Sequence, residues 1–136
     1  MKLFIGGEAK TLQGGRGGTY FLQEDKINNK VYWIHQSGYR AIWWSPNDYW
    51  NIGNFSDLGK TYTGIYGPKH NDSPPNLIKN GWQYHNGANW LDTNDVHFED
   101  LTFKQGKFLC FFVRIQLKEF MQNPIIQCLV LSRWFH

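Results

Sequence analysis

A chain of 136 residues has room for one domain, and 41% apolar residues are enough to build its core. Aromatic residues make up 18% of the chain and include seven Trp, which favours a small β domain stabilised by aromatic packing over a long-helix fold. The net charge of +3 comes from residues 101–136, which carry five Lys/Arg and only Glu119, whereas residues 1–100 carry nine Lys/Arg and ten Asp/Glu. The aromatic part therefore lacks the basic stripe expected of a nucleic-acid-binding protein.

The N-terminal sequence argues against a targeting segment. Only three apolar residues, Leu3 to Ile5, precede two glycines, which is too short for a secretory signal. No uncharged apolar run approaches the length of a membrane span. We therefore expect an intracellular, cytoplasmic protein with no membrane span. The only cysteines, Cys110 and Cys128, cannot alone supply a four-ligand zinc site, so we expect free thiols, a single bridge remaining open, and neither a metal nor another cofactor.

The first predicted hairpin follows a glycine-rich stretch. Residues 14–18 lack the Gly-Lys-Ser/Thr ending and the following helix pattern of a phosphate-binding loop, so we expect a flexible lead-in to the first strand. Residues 19–23 and 30–35 are rich in aromatic and β-branched side chains. Asn28 and Asn29 between them tolerate the left-handed conformation of a turn. The pattern predicts a hairpin with a longer loop.

The middle of the chain predicts a second hairpin and a further strand. Residues 40–44 and 49–53 flank Ser-Pro-Asn-Asp at 45–48, which is strong turn chemistry. Residues 61–66 alternate as a strand does, whereas the prolines within 68–75 indicate a loop.

A last hairpin is predicted around Asn86 and Gly87, because Asn-Gly is the strongest short-range hairpin signal. Its strands would span residues 82–85 and 88–91. The signals together predict about six short strands without long helices, spaced as in a small antiparallel sheet or partly open barrel.

Residues 101–136 differ from the rest of the chain. Two apolar runs, 108–120 and 125–135, are separated by Pro124, and glycine does not occur after Gly106. Each large apolar side chain gains roughly 1.5–3 kcal/mol on burial. We therefore treat 1–100 as a Trp-rich β domain and 101–136 as an apolar, basic C-terminal segment that packs on that domain, packs on a partner or drives self-association.

The segment from about residue 17 to 92 contains an ordered series of short motifs rich in glycine, aromatic residues and proline: Gly18-Thr19-Tyr20, Asn29-Lys30-Val31-Tyr32, Ile42-Trp43-Trp44, Tyr49-Trp50-Asn51-Ile52, Tyr66, Pro74-Pro75 and Gly81-Trp82. This pattern resembles a Trp-rich repeat module of unknown function found in large multidomain proteins of protists and some invertebrates. Two departures are Gly18-Thr19 in place of the usual Asn-Gly, and the additional aromatic residues Trp44 and Tyr49. The resemblance implies a non-catalytic β module and carries over no catalytic residue.

Tryptophan is the one enriched chemical resource, because an exposed Trp can stack on a sugar, a cation or a partner side chain. Trp33, Trp50 and Trp82 are expected in the core. Adjacent residues of a strand point to opposite faces, so one member of the Trp43-Trp44 pair must leave the main core, either covered by another layer, such as the C-terminal segment, or displayed. The candidate binding residues are Trp43, Trp44, Tyr49, Asn47, Asp48, His85 and Trp90.

The histidines favour structural roles. No two of the five have the i, i+4 spacing of a helical metal motif. We expect His35 to be half-buried and hydrogen-bonded, His85 to face solvent, and His97 to lie in a solvated acidic loop. No nucleophile signature or catalytic motif is present, and we assign no catalytic residue.

These observations predict an all-β, non-catalytic binding or scaffold module. Protein–protein interaction is the leading function, with a protein partner or self-association. Carbohydrate binding through displayed aromatics is the alternative, which would place Trp44 or Tyr49 near Asn47 and Asp48 in a groove. A small hydrolase is third.

Overall fold

The computed structural model describes residues 1–100, which form mostly β structure. The strands are β1 (Lys2–Ile5), β2 (Gly18–Ile27), β3 (Lys30–His35), β4 (Arg40–Trp44), β5 (Trp50–Asn54), β6 (Ile65–Tyr66), β7 (Trp82–His85), β8 (Trp90–Thr93) and β9 (Val96–Glu99). One short helix, α1, spans Gly7–Gln13, and 3-10 turns span Gly14–Arg16, Phe55–Asp57 and Pro75–Leu77. No helix in this part of the chain is long and apolar enough to cross a membrane. The predicted role of residues 101–136 lies outside the described residues.

The nine strands form one antiparallel sheet that curls into a nearly closed, barrel-like shape, so the predicted fold class is confirmed. Strands β1 to β8 are neighbours in chain order, and β9 returns to pair with β1 on its other side, with Lys2 opposite both Thr19 and Glu99. The prediction of about six strands is lower than the nine observed, and no predicted segment corresponds to β1 or β9.

The turn between β2 and β3 is tighter than predicted. Asn28 and Asn29 have φ angles of 52° and 66°, so two left-handed residues join Ile27 to Lys30, as in the two-residue turns that match the twist of a hairpin. The irregularity lies within β2, where residues 23–25 bulge opposite Tyr32. The predicted longer loop is therefore a β-bulge inside the hairpin.

The other two predicted turns are present, but the second spans residues 86–89, so β8 begins at Trp90 rather than at residue 88. Ser45 N donates to Tyr49 O at 2.8 Å, and Asp48 adopts φ of 65° in the turn between β4 and β5. Between β7 and β8, Asn86 Oδ1 accepts from the backbone N–H of Asn89 at 2.8 Å. The Asn side chain closes this loop by imitating a backbone acceptor.

The main core lies on the inner face of the sheet, where alternate residues of each strand converge. Its fully buried members include Leu3, Tyr20, Ile42, Ile52, Ile65 and Trp82. Trp50 and Trp82 are buried as predicted, while Trp33 is half-buried against the same cluster.

The glycine-rich stretch is an ordered part of the fold, so the predicted flexible lead-in is wrong. It forms the 3-10 turn Gly14–Arg16 directly after α1, and Tyr20 Oη donates to Arg16 O. Arg16 Nε donates to Ile52 O at 3.0 Å, and Gln13 Nε2 donates to His85 O at 2.7 Å. These bonds attach the N-terminal segment to the carbonyls of β5 and β7.

Trp43 and Trp44 lie on opposite faces of β4, and neither is displayed. Trp44 joins the main core beside Trp50. Trp43 is fully buried on the outer face, where Leu58 packs against its cluster and Lys60 O accepts from Trp43 Nε1 at 2.9 Å. The chain after β5 is thus the second layer that covers Trp43.

This second layer makes Gly53 sensitive to substitution. A Cβ at Gly53 would lie 3.0 Å from Trp43 Cη2 and 3.2 Å from Thr63 Cα. Gly53→Ala is expected to destabilise the protein by about 1–3 kcal/mol, because a buried ring and a backbone atom cannot move aside easily. Chemical denaturation measures this loss. Gly14→Ala is the matched control: the nearest atom is 3.8 Å away and φ is −60°, so its stability should be unchanged or slightly higher.

Candidate functional site: an aromatic strip at a free sheet edge

Four aromatic rings on the outer face form a continuous chain of contacts, here called the aromatic strip: Tyr49, Tyr66, Trp90 and His85. The ring centroids are 4.8 Å apart from Tyr49 to Tyr66, 4.6 Å from Tyr66 to Trp90 and 5.0 Å from Trp90 to His85. Trp90 is 40% exposed and the other three are half-buried. The register places them together, since Tyr66 lies opposite Gln83, and His85 lies opposite Trp90. The strip therefore presents rigid, partly solvated aromatic surface.

Polar side chains hold the strip in place. Tyr66 Oη donates to Gln83 Oε1, and Gln83 Nε2 donates to Asp92 Oδ1 at 2.7 Å. Burial, with the neighbouring Tyr49 and the charge of Asp92, raises the pKa of Tyr66, so its phenol stays protonated as a donor. His85 Nδ1 accepts from the Gly87 N–H at 3.1 Å, which leaves Nε2–H of the neutral ring as a donor.

The strip borders a free sheet edge, because β8 pairs only with β7 among the described strands. Asn86 N donates to Asn89 O, and hydrogen-bonded pairs alternate with non-hydrogen-bonded pairs along an antiparallel ladder. Trp90 and Asp92 therefore occupy non-hydrogen-bonded positions. Their backbone N–H and C=O groups face away from β7, beside the strip.

The structure brings together most of the sequence-predicted site. Tyr49, His85 and Trp90 belong to the strip, and Asn47 Nδ2 lies 3.5 Å from Tyr49 Oη at one end. The remaining predicted members are placed as follows. Asp48 is exposed in the adjacent turn, with its Oδ2 3.6 Å from His70 Nδ1, whereas Trp43 and Trp44 are buried away from the strip.

Sequence reasoning missed Tyr66, Gln83 and Asp92. All three lie on the outer face of their strands. Gln83 is two residues before His85, and Asp92 is two residues after Trp90. Alternation alone could have placed Gln83 beside His85, and Asp92 beside Trp90. Tyr66 has no such local signal, because its place depends on the pairing of β6 with β5 and β7.

A separate cavity of ≈ 340 Å³ lies beside the bulge of β2, near the turn into β3. Its walls are mainly apolar and include Leu22, Trp33 and Trp50. Polar groups also line this cavity, among them Lys30 and Asp72, which form an ion pair with Lys30 Nζ 3.4 Å from Asp72 Oδ2. Apolar walls with a few polar groups are typical of small-molecule sites.

The histidines and carboxylates show no metal-binding arrangement within residues 1–100, where no group of three His, Cys, Asp or Glu residues could hold an ion. His35 is buried and bonded to Gly17 O and Ser37 Oγ, each at 2.8 Å, which confirms its predicted structural role. His97 is exposed, but it lies on β9 rather than in the predicted acidic loop, and its ring stacks on Phe4.

No protein-family model, curated protein or solved structure matches this chain. The resemblance to a Trp-rich repeat module stays a prediction.

Proposed function

We propose that this domain is a non-catalytic protein-binding module that adds an extended segment of a partner protein to the free edge of β8. The observation that carries the proposal is the juxtaposition of the aromatic strip with that edge. The outward backbone groups of Trp90 and Asp92 would bond to the segment's backbone, while its side chains would contact the strip. Main-chain bonds supply affinity in this mode of recognition, and side-chain contacts supply specificity.

The charges beside the strip favour a segment that carries Arg or Lys. Asp92 lies at the edge strand itself, and Asp48 lies in the turn next to Tyr49. A guanidinium can pair with a carboxylate while it stacks on a Trp or Tyr face. Tyr and Trp are also the side chains most enriched among residues that dominate protein interfaces.

The ring orientations favour a protein over a linear glycan at this surface. Trp90 is turned 73° from Tyr66 and 74° from His85, and Tyr66 is turned 39° from Tyr49. Successive sugar rings stack best on ring faces that point the same way, whereas these neighbours present edges and faces alternately. A protein segment with differently shaped side chains suits such a surface better.

The test begins with selection of extended peptides on the full chain from a random library. Trp90→Ala is expected to weaken the selected peptides by about tenfold or more, because a central aromatic contact contributes about 2 kcal/mol. Tyr62→Ala is the control, since Tyr62 is 73% exposed but lies outside the strip and β8. This variant should bind the selected peptides with the same affinity as the unmodified chain. Calorimetric titration measures all three affinities.

A paired comparison at Asp92 tests the edge itself. Asp92→Ala removes the carboxylate, while Asp92→Pro also removes an N–H that β7 does not use, and proline is tolerated at strand edges. The proline variant should bind more weakly than the alanine variant by a further factor of about five, the contribution of one backbone hydrogen bond. Equal affinities, or a library that yields no peptide, would contradict strand addition. Association of two copies through β8, read by size-exclusion chromatography, would make the partner a second copy of this chain.

Carbohydrate binding is the second candidate, and the cavity beside Trp33 and Trp50 favours it. Sugar rings bind against Trp faces while their hydroxyls bond to amide and carboxylate groups, and Asn29 and Asp72 supply such groups at this cavity. A glycan-array signal that Trp33→Ala abolishes and Trp90→Ala preserves would support this function. Silence of the full chain across the array would remove it.

A further inference from the structure

A second cavity, of ≈ 530 Å³, lies where β4 begins and β5 ends, and we call it the Arg40 cavity. Its lining comprises Gly38, Tyr39, Arg40, Asn54, Phe55 and Ser56. Arg40 and Asn54 are opposite each other in the β4–β5 ladder. Tyr39 is 73% exposed and Phe55 is 43% exposed, so two aromatic side chains lie in the part of the lining that meets solvent.

The guanidinium of Arg40 has unused hydrogen-bonding capacity. Its Nη1 donates to Tyr39 O at 3.1 Å, but its Nε is buried without a hydrogen-bond partner. The ion pairs found within residues 1–100 do not include Arg40. A buried donor atom without an acceptor is destabilising, and in a native fold it points to an ion, a water molecule or a ligand as its partner.

A second guanidinium increases the positive potential here. The turn that carries Arg16 lies against Arg40, since a Cβ at Gly15 would be 3.5 Å from Arg40 Nη2. Arg16 Nε donates to Ile52 O, and its Nη1 donates to Gln13 Oε1. Among the described residues, no carboxylate lies within ion-pair distance of the Arg16 guanidinium. Burial, followed by the charge of Arg40, lowers the pKa of Arg16. Two cations thus lie near each other, and the nearby charge of Asp57 offsets them without forming an ion pair with either.

We propose that the Arg40 cavity binds a phosphate monoester with an aromatic body. The guanidinium of Arg40 would bond to the phosphate oxygens, with Asn54 and Ser56 as further donors, while Tyr39 and Phe55 would contact the ring. A phosphate fits better than a carboxylate, because its three oxygens can accept bonds from Arg40, Asn54 and Ser56 together. The ester could be a small molecule or a phosphorylated tyrosine of a protein, which share this chemistry.

Binding of phenyl phosphate, inorganic phosphate and benzoate to the full chain tests the proposal by calorimetric titration. Phenyl phosphate should bind at least about tenfold more tightly than either other probe, because only it combines the dianion with the ring. Arg40→Gln should weaken phenyl phosphate by about tenfold or more. Lys79→Gln removes one positive charge at an exposed site outside the lining of the cavity, where the amine donates to Asn76 O, and it should leave the affinity unchanged.

Equal affinity for benzoate, or undiminished binding by Arg40→Gln, would overturn the proposal, as would a lack of phenyl phosphate binding. If Arg40→Gln does not fold, Ser56→Ala takes its place, because Ser56 is exposed and its loss should weaken binding about threefold or more. An undiminished affinity for Ser56→Ala, with no amide shift at Gly38 to Arg40 in NMR spectra on titration, would also overturn it. A phosphotyrosine peptide that binds at least tenfold more tightly than phenyl phosphate identifies a protein source, and equal affinity identifies a small molecule.

Discussion

Replacing Trp43 with alanine is expected to lower the free energy of unfolding by about 3–5 kcal/mol, the usual loss for a large aromatic side chain deleted from a core. The size follows from its position. Trp43 is fully buried although it lies on the outer face of the sheet, and Tyr32, Ala41 and Leu58 surround it. Its Nε1–H bonds to Lys60 O at 2.9 Å, so the substitution also leaves a carbonyl of the covering chain without one of its donors. Chemical denaturation followed by circular dichroism measures the loss.

Trp43→Phe separates packing from hydrogen bonding. Phenylalanine retains much of the apolar contact but has no N–H, so it should lose less than alanine while it still releases Lys60 O. Asn51 Nδ2 also donates to this oxygen, at 3.2 Å, which limits the further penalty. Tyr62→Ala is a surface control that should change stability by less than about 0.5 kcal/mol. A loss below about 1 kcal/mol for Trp43→Ala would mean that the chain after β5 does not form a packed layer.

The sequence predicted the hairpins because their turns are local. Asn28 and Asn29, the Ser-Pro turn and Asn86 each act through a side chain or a φ angle within a few residues. The pairing of β1 with β9 has no such signal, because Lys2 meets Glu99 across nearly the whole described chain. Each of these two strands has only four residues, which is too short for alternation alone to identify a strand.

The prediction that the glycine-rich stretch is flexible was wrong for a similar reason. Its order depends on Arg16 reaching Ile52 O and on Tyr20 reaching Arg16 O, and contacts between distant segments leave no local pattern. A run of glycines was therefore interpreted from its flexibility alone.

The candidate site was partly predictable. Aromatic content and turn chemistry selected Tyr49, His85 and Trp90, which the structure brings to one surface. Alternation correctly separated Trp43 from Trp44 onto opposite faces. What covers Trp43 could not be predicted, because the covering segment contributes Leu58 and a backbone carbonyl of Lys60 rather than an apolar pattern.

The second large effect is expected at alkaline pH and involves Tyr20. Its side chain is fully buried, its ring meets His35 edge-on with centroids 4.9 Å apart, and its hydroxyl donates to Arg16 O. Burial raises the pKa of Tyr20 far above its usual value of 10.0, although the nearby charges of Arg16 and Arg40 oppose this shift. The folded protein therefore keeps the phenol protonated at pH values where the unfolded chain releases the proton.

The sign of the pH dependence follows from linkage. Below pH 10 the phenol is protonated in both states, and the stabilising contribution of Tyr20 is fully present. As pH rises above 10 the unfolded state ionises first, so this contribution falls by up to about 1.4 kcal/mol for each pH unit. Tyr20→Phe should be less stable at neutral pH by about 1–3 kcal/mol, because Arg16 O loses a buried donor. Its deficit relative to the unmodified protein should then shrink between pH 10 and about 12.

Denaturation curves of both proteins across this pH range measure the difference. The raised pKa values of Tyr32, Tyr66 and Tyr84 act in both proteins and largely cancel in that comparison. Ile52→Val is the control, since it removes a buried methylene at a cost of about 0.5–1.5 kcal/mol without removing a titrating group, and its deficit should stay constant with pH. If the deficit of Tyr20→Phe also stays constant up to pH 12, Tyr20 ionises alike in the folded and unfolded states, and the buried phenol does not govern alkaline unfolding.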